Sequence, residues 1–288
     1  MTTELHCEGR FVIFNRLRRQ LDTLATTLVL GVGRRIGKQR SLQIARRAAF
    51  LTRKLAQFTH RQVFELQWRV PPEPEWQDHH TSIYVLWDRM RQPVVVERGC
   101  VSAFALKDGS EVLDICCGDG FYDYYFYSRR AKRITAVDFD PAVIAYAHTY
   151  NQAPNISYEV CDIRAHIPQG SYDNIIWNGA IEHFTEDEIK SIVMMLHSHL
   201  KPGGVLSGYT IAALPGTDKQ LSHHEYEFRS KEDLLRFFKP PFSNAKVFET
   251  IWAAIPGLPE GVRRHNLYFY AADDVVPFDD RWPHTIRA

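Results

Sequence analysis

Between residues 111 and 211, apolar runs and polar stretches with helical spacing alternate along the chain. "EVLDIC", "RITAVD", "ISYEV", "YDNIIWN" and "GVLSGYTI" are short, rich in β-branched and aromatic residues, and bounded by turn formers, the signature of buried strands. Helical stretches near 121–130, 141–151 and 185–200 separate them. Strands alternating with helices predict the α/β class, a doubly wound and mostly parallel sheet with helices on both faces. Two later runs, "NAKVFETIW" (244–252) and "RHNLYFYAA" (264–272), bring the predicted strands to seven, with "AAIPGLPEGVRR" connecting the pair. The final "DDVVPFDDRWPHTIRA" is polar and interrupted by prolines, and predicts a loosely ordered tail.

A different pattern precedes this alternation. Phe14, Leu17, Leu21, Leu24 and Leu28 recur every three or four residues, as do Ile44, Ala48, Leu51, Leu55 and Phe58 after the break at Gly31-Val32-Gly33. Two amphipathic helices joined by a turn are expected. "VPPEPEW" (70–76) reads as a stiff, extended linker. The sequence therefore divides into a helical extension with its linker (1–79), a main domain (80–272) and a tail (273–288).

Charge changes the picture of the extension more than that of the domain. Residues 1–62 carry 13 Lys and Arg against 3 Asp and Glu, whereas residues 63–288 carry 22 against 31. A basic helical hairpin can draw phosphates of RNA, an anionic membrane surface or an acidic acceptor. A solvated face on a packing or homodimer-forming helix pair is the plainer reading and the preferred one. The longest apolar stretch there, "LATTLVLGVG", is too short to cross a bilayer and lacks a small-residue cleavage site, and the five cysteines are odd in number and form no CxxC pair. Reduced thiols and a cytoplasmic location, with peripheral membrane contact as an option, are expected.

The chemistry-bearing residues fall at the ends of the predicted strands. A ligand crevice in such a sheet lies at the carboxyl ends, and the first strand runs into Cys116-Cys117-Gly118-Asp119-Gly120. Gly118 and Gly120 let the backbone approach a ligand closely. Asp138 closes the second strand, where a carboxylate can accept both ribose hydroxyl protons of an adenosine cofactor. Asp162 in "VCDI" ends the third strand, and "LKPGGVL" (200–206) leads from a helix into the fifth.

With these four ordered motifs, residues 105–272 resemble the class I S-adenosylmethionine-dependent methyltransferases, with a likeness to those acting on quinone precursors and small metabolites. The resemblance implies a Rossmann-like fold, S-adenosylmethionine as cofactor, and roles for individual residues. Asp114, Gly118 and Gly120 match the motif that wraps the methionine part, with Cys116 in place of its first glycine. Asp138 matches the ribose-binding acid and Asp162 the adenine-proximal acid, and Asn178, closing the fourth strand, joins the cofactor-binding set. Phe121 or Tyr122, nearest the loop, can border the sulfonium.

Glu182-His183 in "WNGAIEHF" stands before a helix opened by Thr185 and Glu188 as a capping box, with His183 as general base and Glu182 beside it. Asn178 is followed by Gly179-Ala180-Ile181, so the Asn-Pro-Pro-aromatic signature of amino-group methylation is absent. Oxygen, then carbon, is the expected acceptor atom, in a small metabolite, lipid-linked sugar or quinone-like molecule. Glu182, His183 and His223 or His224 also resemble part of the metal site of small-RNA 2′-O-methyltransferases, whose second glutamate is here Gly179. The expected reading of His223-His224 is nevertheless lid or substrate-facing residues, and no metal ligand is assigned. Metal-assisted RNA 2′-O-methylation and a non-catalytic, cofactor-binding assembly subunit are the alternative functions.

Overall fold

A computed structural model describes residues 93–213, 223–252 and 264–282, together with His79 and isolated helical positions between 40 and 59. The N-terminal half of the basic extension, the proline-rich linker and most of the second predicted helix lie outside the described residues. The chain separates into two compact units, Met1–Gln67 and Trp68–Ala288. In the first, Ile44, Leu51, Leu55 and Phe58 are helical and exposed.

Helix α1 (Val94–Ala105) precedes strand β1 (Glu111–Ile115), then β2 (Arg133–Asp138), α2 (Pro141–Tyr150), β3 (Ile156–Val160) and β4 (Tyr172–Asn178). Helix α3 (Glu186–His199), β5 (Leu200–Ile211), α4 (Lys231–Phe238), β6 (Asn244–Trp252) and β7 (Arg264–Ala272) complete the order. The seven strands form one sheet in the order β3-β2-β1-β4-β5-β7-β6. All neighbours from β3 to β5 run parallel, and β7 is antiparallel to both β5 and β6. The two late strands form an antiparallel hairpin at the sheet edge, with β7 beside β5 and β6 outermost.

Period-two side-chain alternation explains why both faces are covered. From β1, Leu113 and Ile115 join the layer under α3 and α4 with Ile189, Ile192, Val193, Leu196 and Phe238, whereas Val112 joins the opposite layer with Ile134, Ile144 and Ile156. β4 divides the same way, Ile175 and Trp177 to the first layer and Ile176 to the second. Each such side chain taken out of water contributes roughly 1.5–3 kcal/mol, so the two layers fix which face every strand turns where.

Two local expectations are corrected. The stretch after Gly120 is not a continuing α-helix: Asp123–Tyr127 form a π-helical turn, and the chain reaches β2 six residues later. The segment after β7 is not loose through residue 282. Val276 and Trp282 are buried with Val101, Tyr268 and Tyr270, two backbone bonds (Asp279 N to Val276 O, Trp282 N to Asp279 O) turn it, and Lys246 Nζ donates to the Phe278 carbonyl. Val276 and Trp282 thus dock despite Pro277 between them.

Candidate active site

Strand order reverses between β1 and β4, so their carboxyl ends diverge and leave a crevice. Eight of the nine residues singled out in the sequence line one pocket there: Asp114, Cys116, Gly118, Asp138, Asp162, Asn178, Glu182 and His183. Gly120 is not among its walls. A side chain at Gly120 would strike the Tyr158 hydroxyl at 2.3 Å, so glycine is required there for packing of the turn against β3.

The β1 loop is shaped by three left-handed residues, Cys116 (φ 57°), Gly118 (φ 57°) and Gly120 (φ 69°). Glycine adopts that conformation freely, whereas an L side chain costs roughly 1–2 kcal/mol, so Cys116 holds strain at the position where the resembled motif has glycine. The Cys117 N–H donates to the Val137 carbonyl, tying the loop to β2. Gly118 N–H donates to Asp138 Oδ2 at 3.1 Å, and Asp140 N–H to Asp138 Oδ1 at 3.0 Å. A Cβ built on Gly118 meets nothing within 4 Å. The bare face of that glycine is therefore open to the pocket.

Carboxylates dominate the electrostatics of this end. Burial raises the pKa of Asp138, with the two backbone N–H bonds opposing it. Asp162 is held low, first by its bidentate bonds to Arg164. Asp114 and Asp123 of the π-helical turn are both buried; burial and then the charge of Asp123 push Asp114 well up, and burial pushes Asp123 to about 8. With both carboxyls pushed up, the pair holds a proton at neutral pH. Burial and the surrounding acids likewise hold Cys116 and Cys117 as thiols.

The residues present fit S-adenosylmethionine. The open glycine face admits a ligand against the backbone, the acids complement a sulfonium and an amino group, Asp138 retains oxygens for a diol, and Phe139, Val143 and Ile163 add an apolar wall. Of the two aromatic candidates Tyr122 lines the pocket, while Phe121 stacks on His79 at 5.3 Å.

The opposite end is built from β4, β5 and the approach to α4. Asn178 is fixed by accepting from Ser102 Oγ and donating to the Tyr127 hydroxyl, both at 2.9 Å. A three-residue 3₁₀ turn, Ile181–His183, then delivers Glu182 and His183, and the Thr185–Glu188 capping box opens α3 directly after it. Glu182 is 3% exposed and accepts from Thr210 Oγ1 at 2.9 Å; burial raises its pKa, opposed by hydrogen bonds and by His224 and Arg98. Its backbone carbonyl accepts from both Glu225 N (2.9 Å) and Tyr226 N (3.1 Å). That clamp brings His223 and His224 beside His183, with ring centroids 4.8 and 5.2 Å from it. Burial drives the His183 pKa down to about 4, the His223 carbonyl opposing and the other two histidines assisting. His183 is thus an uncharged imidazole across the neutral range, and alone a weak base.

Sequence reasoning passed over several contributors. His79 is buried, donates its N–H to Asp119 Oδ2 (3.1 Å), lies 2.8 Å from Asp119 Oδ1 through Nδ1, and walls the pocket; nothing near it in sequence points to that. Burial raises Asp119 but His79 more than offsets it, leaving the acid below its ordinary value. Tyr209 of β5 and Arg164 also line the pocket. Asp123 was detectable in principle, as the lone acid inside a run of six aromatics.

Fold and crevice define a doubly wound α/β domain with a ligand site at the switch point of its sheet. Residues 112–204 match the family model described as a methyltransferase domain. The chain is 29% identical over 181 residues to the malonyl-[acyl-carrier protein] O-methyltransferase of Acetivibrio thermocellus, covering 59% of this chain and 62% of that protein. It is 30% identical over 105 residues to an uncharacterized methyltransferase of Synechocystis sp., covering 36% and 48%. The match thus spans less than two thirds of either relative. Among solved structures, TehB of Haemophilus influenzae superposes with a TM-score of 0.51 at 18% identity, covering 66% of each chain, a likeness of fold. Residues 112–204 are thus similar to a methyltransferase domain, and the sheet has the Rossmann-like fold of such domains.

Proposed function

We propose that this protein is an S-adenosylmethionine-dependent O-methyltransferase acting on a small acceptor. The observation that carries the reading is that one continuous pocket joins the Gly118–Asp138 end, suited to the cofactor, to the Glu182–His183 end, suited to a polar reactant. S-adenosylmethionine supplies an activated methyl on a sulfonium sulfur, open to in-line attack. The protein's work is then alignment, exclusion of water and handling of one proton. Asp138 is the ribose-binding acid, Gly118 and Cys116 shape the loop around the methionine part, and Asp162 stands at the adenine end with its carboxylate oriented by Arg164. Asp114 and Asn178 wall the middle, where Asn178 is immobilised by Ser102 and Tyr127. Glu182 and His183 receive the acceptor.

Oxygen is favoured because β4 ends in Asn178-Gly179-Ala180, without the aromatic and prolines of an amino-group methylase, and because the similar Acetivibrio enzyme is named for O-methylation. The test is transfer of labelled methyl from S-adenosylmethionine into fractionated cell extract, with mass identification of the product. An O-methyl product is expected, and methyl on nitrogen alone would overturn the assignment. Labelling only of RNA would favour the RNA 2′-O-methyltransferase alternative.

A further inference from the structure

The three imidazoles at the acceptor end converge from two separate loops. One ring nitrogen from each of His183, His223 and His224 lies within 4.8 Å of the others. Hydrogen bonds on the far side of two rings set where their lone pairs are. His224 Nδ1 sits 2.8 Å from Glu227 Oε1 and donates to that carboxylate, which leaves Nε2 as a bare acceptor. That Nε2 has no partner among the described residues, although the side chain is only 1% exposed. His183 Nδ1 lies 3.3 Å from the His223 carbonyl oxygen and donates to it, so its Nε2 also carries a lone pair. A carboxylate backing the far nitrogen is how metal-ligating histidines are held in tautomer and orientation.

We propose that His183, His223 and His224 form a binding site for a divalent transition-metal ion, with Glu227 positioning His224. An all-imidazole donor set suits Zn²⁺, Co²⁺ or Ni²⁺ and disfavours Mg²⁺ and Ca²⁺, which take oxygen ligands. Three protein ligands leave the fourth position of a tetrahedral ion for water or an acceptor oxygen, and all three histidines wall the pocket, which puts that position at its acceptor end. The 4.8 Å span exceeds the roughly 3.3 Å edge of a tetrahedron with metal–nitrogen bonds of about 2.05 Å, so ion binding draws the rings inward by rotation of their side chains. Glu182 is not among the residues whose donor atoms converge there; its Oε2 accepts from Thr210 Oγ1.

What the ion does in the reaction rests on the methyltransferase reading. An acceptor hydroxyl bound at the open position loses its proton to solvent more readily, and the resulting oxygen lone pair forms the bond to the methyl carbon as the carbon–sulfur bond breaks and its electrons return to sulfur. His183 then acts through the ion instead of taking the proton itself.

The full chain, purified without a polyhistidine tag and stripped with chelator, is titrated with Zn²⁺ by calorimetry and with Co²⁺ by its visible ligand-field absorption. One equivalent of each is expected to bind, with the intense band of tetrahedral Co²⁺. His224→Ala should weaken Zn²⁺ binding at least ~100-fold and abolish the band, and the milder Glu227→Gln should weaken it ~10-fold, the scale of losing a ligand's supporting partner. Wild-type affinity for Zn²⁺ no tighter than that of His224→Ala, or absence of the Co²⁺ band, overturns the site. S-adenosylmethionine affinity, measured on the same samples, is expected to be unchanged by both substitutions. A wild-type chain that binds metal but no S-adenosylmethionine would sink the methyltransferase reading and leave the metal site standing.

Discussion

Each carboxylate oxygen of Asp138 accepts from a backbone N–H, Oδ2 from Gly118 and Oδ1 from Asp140, and keeps a further lone pair for the pocket. Replacing it by alanine removes those acceptors and also unties Gly118. Calorimetry on Asp138→Ala should show S-adenosylmethionine binding weaker by about 1–3 kcal/mol, the range for lost hydrogen bonds to a charged group. Glu182→Gln is isosteric and keeps a partner for Thr210, but removes the charge at the acceptor end. Turnover should fall about 100-fold or more while cofactor affinity stays within about threefold, a split that separates chemistry from binding. The sequence made Asp138 and Glu182 readable because the first ends β2 and the second lies in the turn just after β4, where topology puts side chains into the crevice. Asp123 and His79 were not readable by that rule. The first is turned inward by a π-helical turn that no spacing announces, and the second meets Asp119 across 40 residues of chain.

At the scale of elements, the strands were legible almost to the residue, since apolar runs between turn formers leave little choice of boundary, except β5, which begins at Leu200, four residues before the run that announced it. The capping box at Thr185 was legible for the same local reason: the Glu188 carboxylate returns to the Thr185 N–H at 2.8 Å. Thr185→Ala should lower stability by about 1 kcal/mol in denaturant melts. What local pattern could not reveal is how elements present acids to each other. The π-helical turn sets Asp123 against Asp114 on β1, and the folded pair keeps a proton that an unfolded aspartate releases near pH 4. With the folded pKa raised to about 8, the native state binds more protons than the unfolded chain between those values, and stability falls as pH rises through that window. Melting temperature should therefore decline from about pH 5 to about pH 8, and Asp123→Asn, which donates without a titrating proton, should flatten the decline. An unchanged slope in that variant would remove the shared proton as its cause.

Across the whole molecule, charge is unevenly placed: residues 1–62 carry an excess of ten positive charges and the remainder an excess of nine negative. The cofactor-end residues singled out in the sequence lie after residue 110, and these and His79, which also walls the pocket, fall inside the compact unit Trp68–Ala288. Removing residues 1–62 should leave S-adenosylmethionine affinity within about a factor of three, since that unit has its own layered core. Product formation should fall, and activity of the intact chain should decline with added salt as the reach of those charges shortens. A truncated chain with full activity, together with indifference to salt, would leave the basic hairpin as a packing element. The division of labour within the sheet has a further consequence. On the proposed reading, most cofactor-end residues come from β1, β2 and β3, within 111–164, and the acceptor-end residues Glu182, His183, His223 and His224 from after β4. Donor and acceptor recognition would then lie in consecutive stretches of the gene, joined where β1 pairs with β4 and where Asn178 bonds to Tyr127. A chimera carrying another methyltransferase's segment between β5 and α4 should inherit that enzyme's acceptor while keeping this protein's affinity for its methyl donor, and lineages of this domain can change substrate by recombination without rebuilding the donor half.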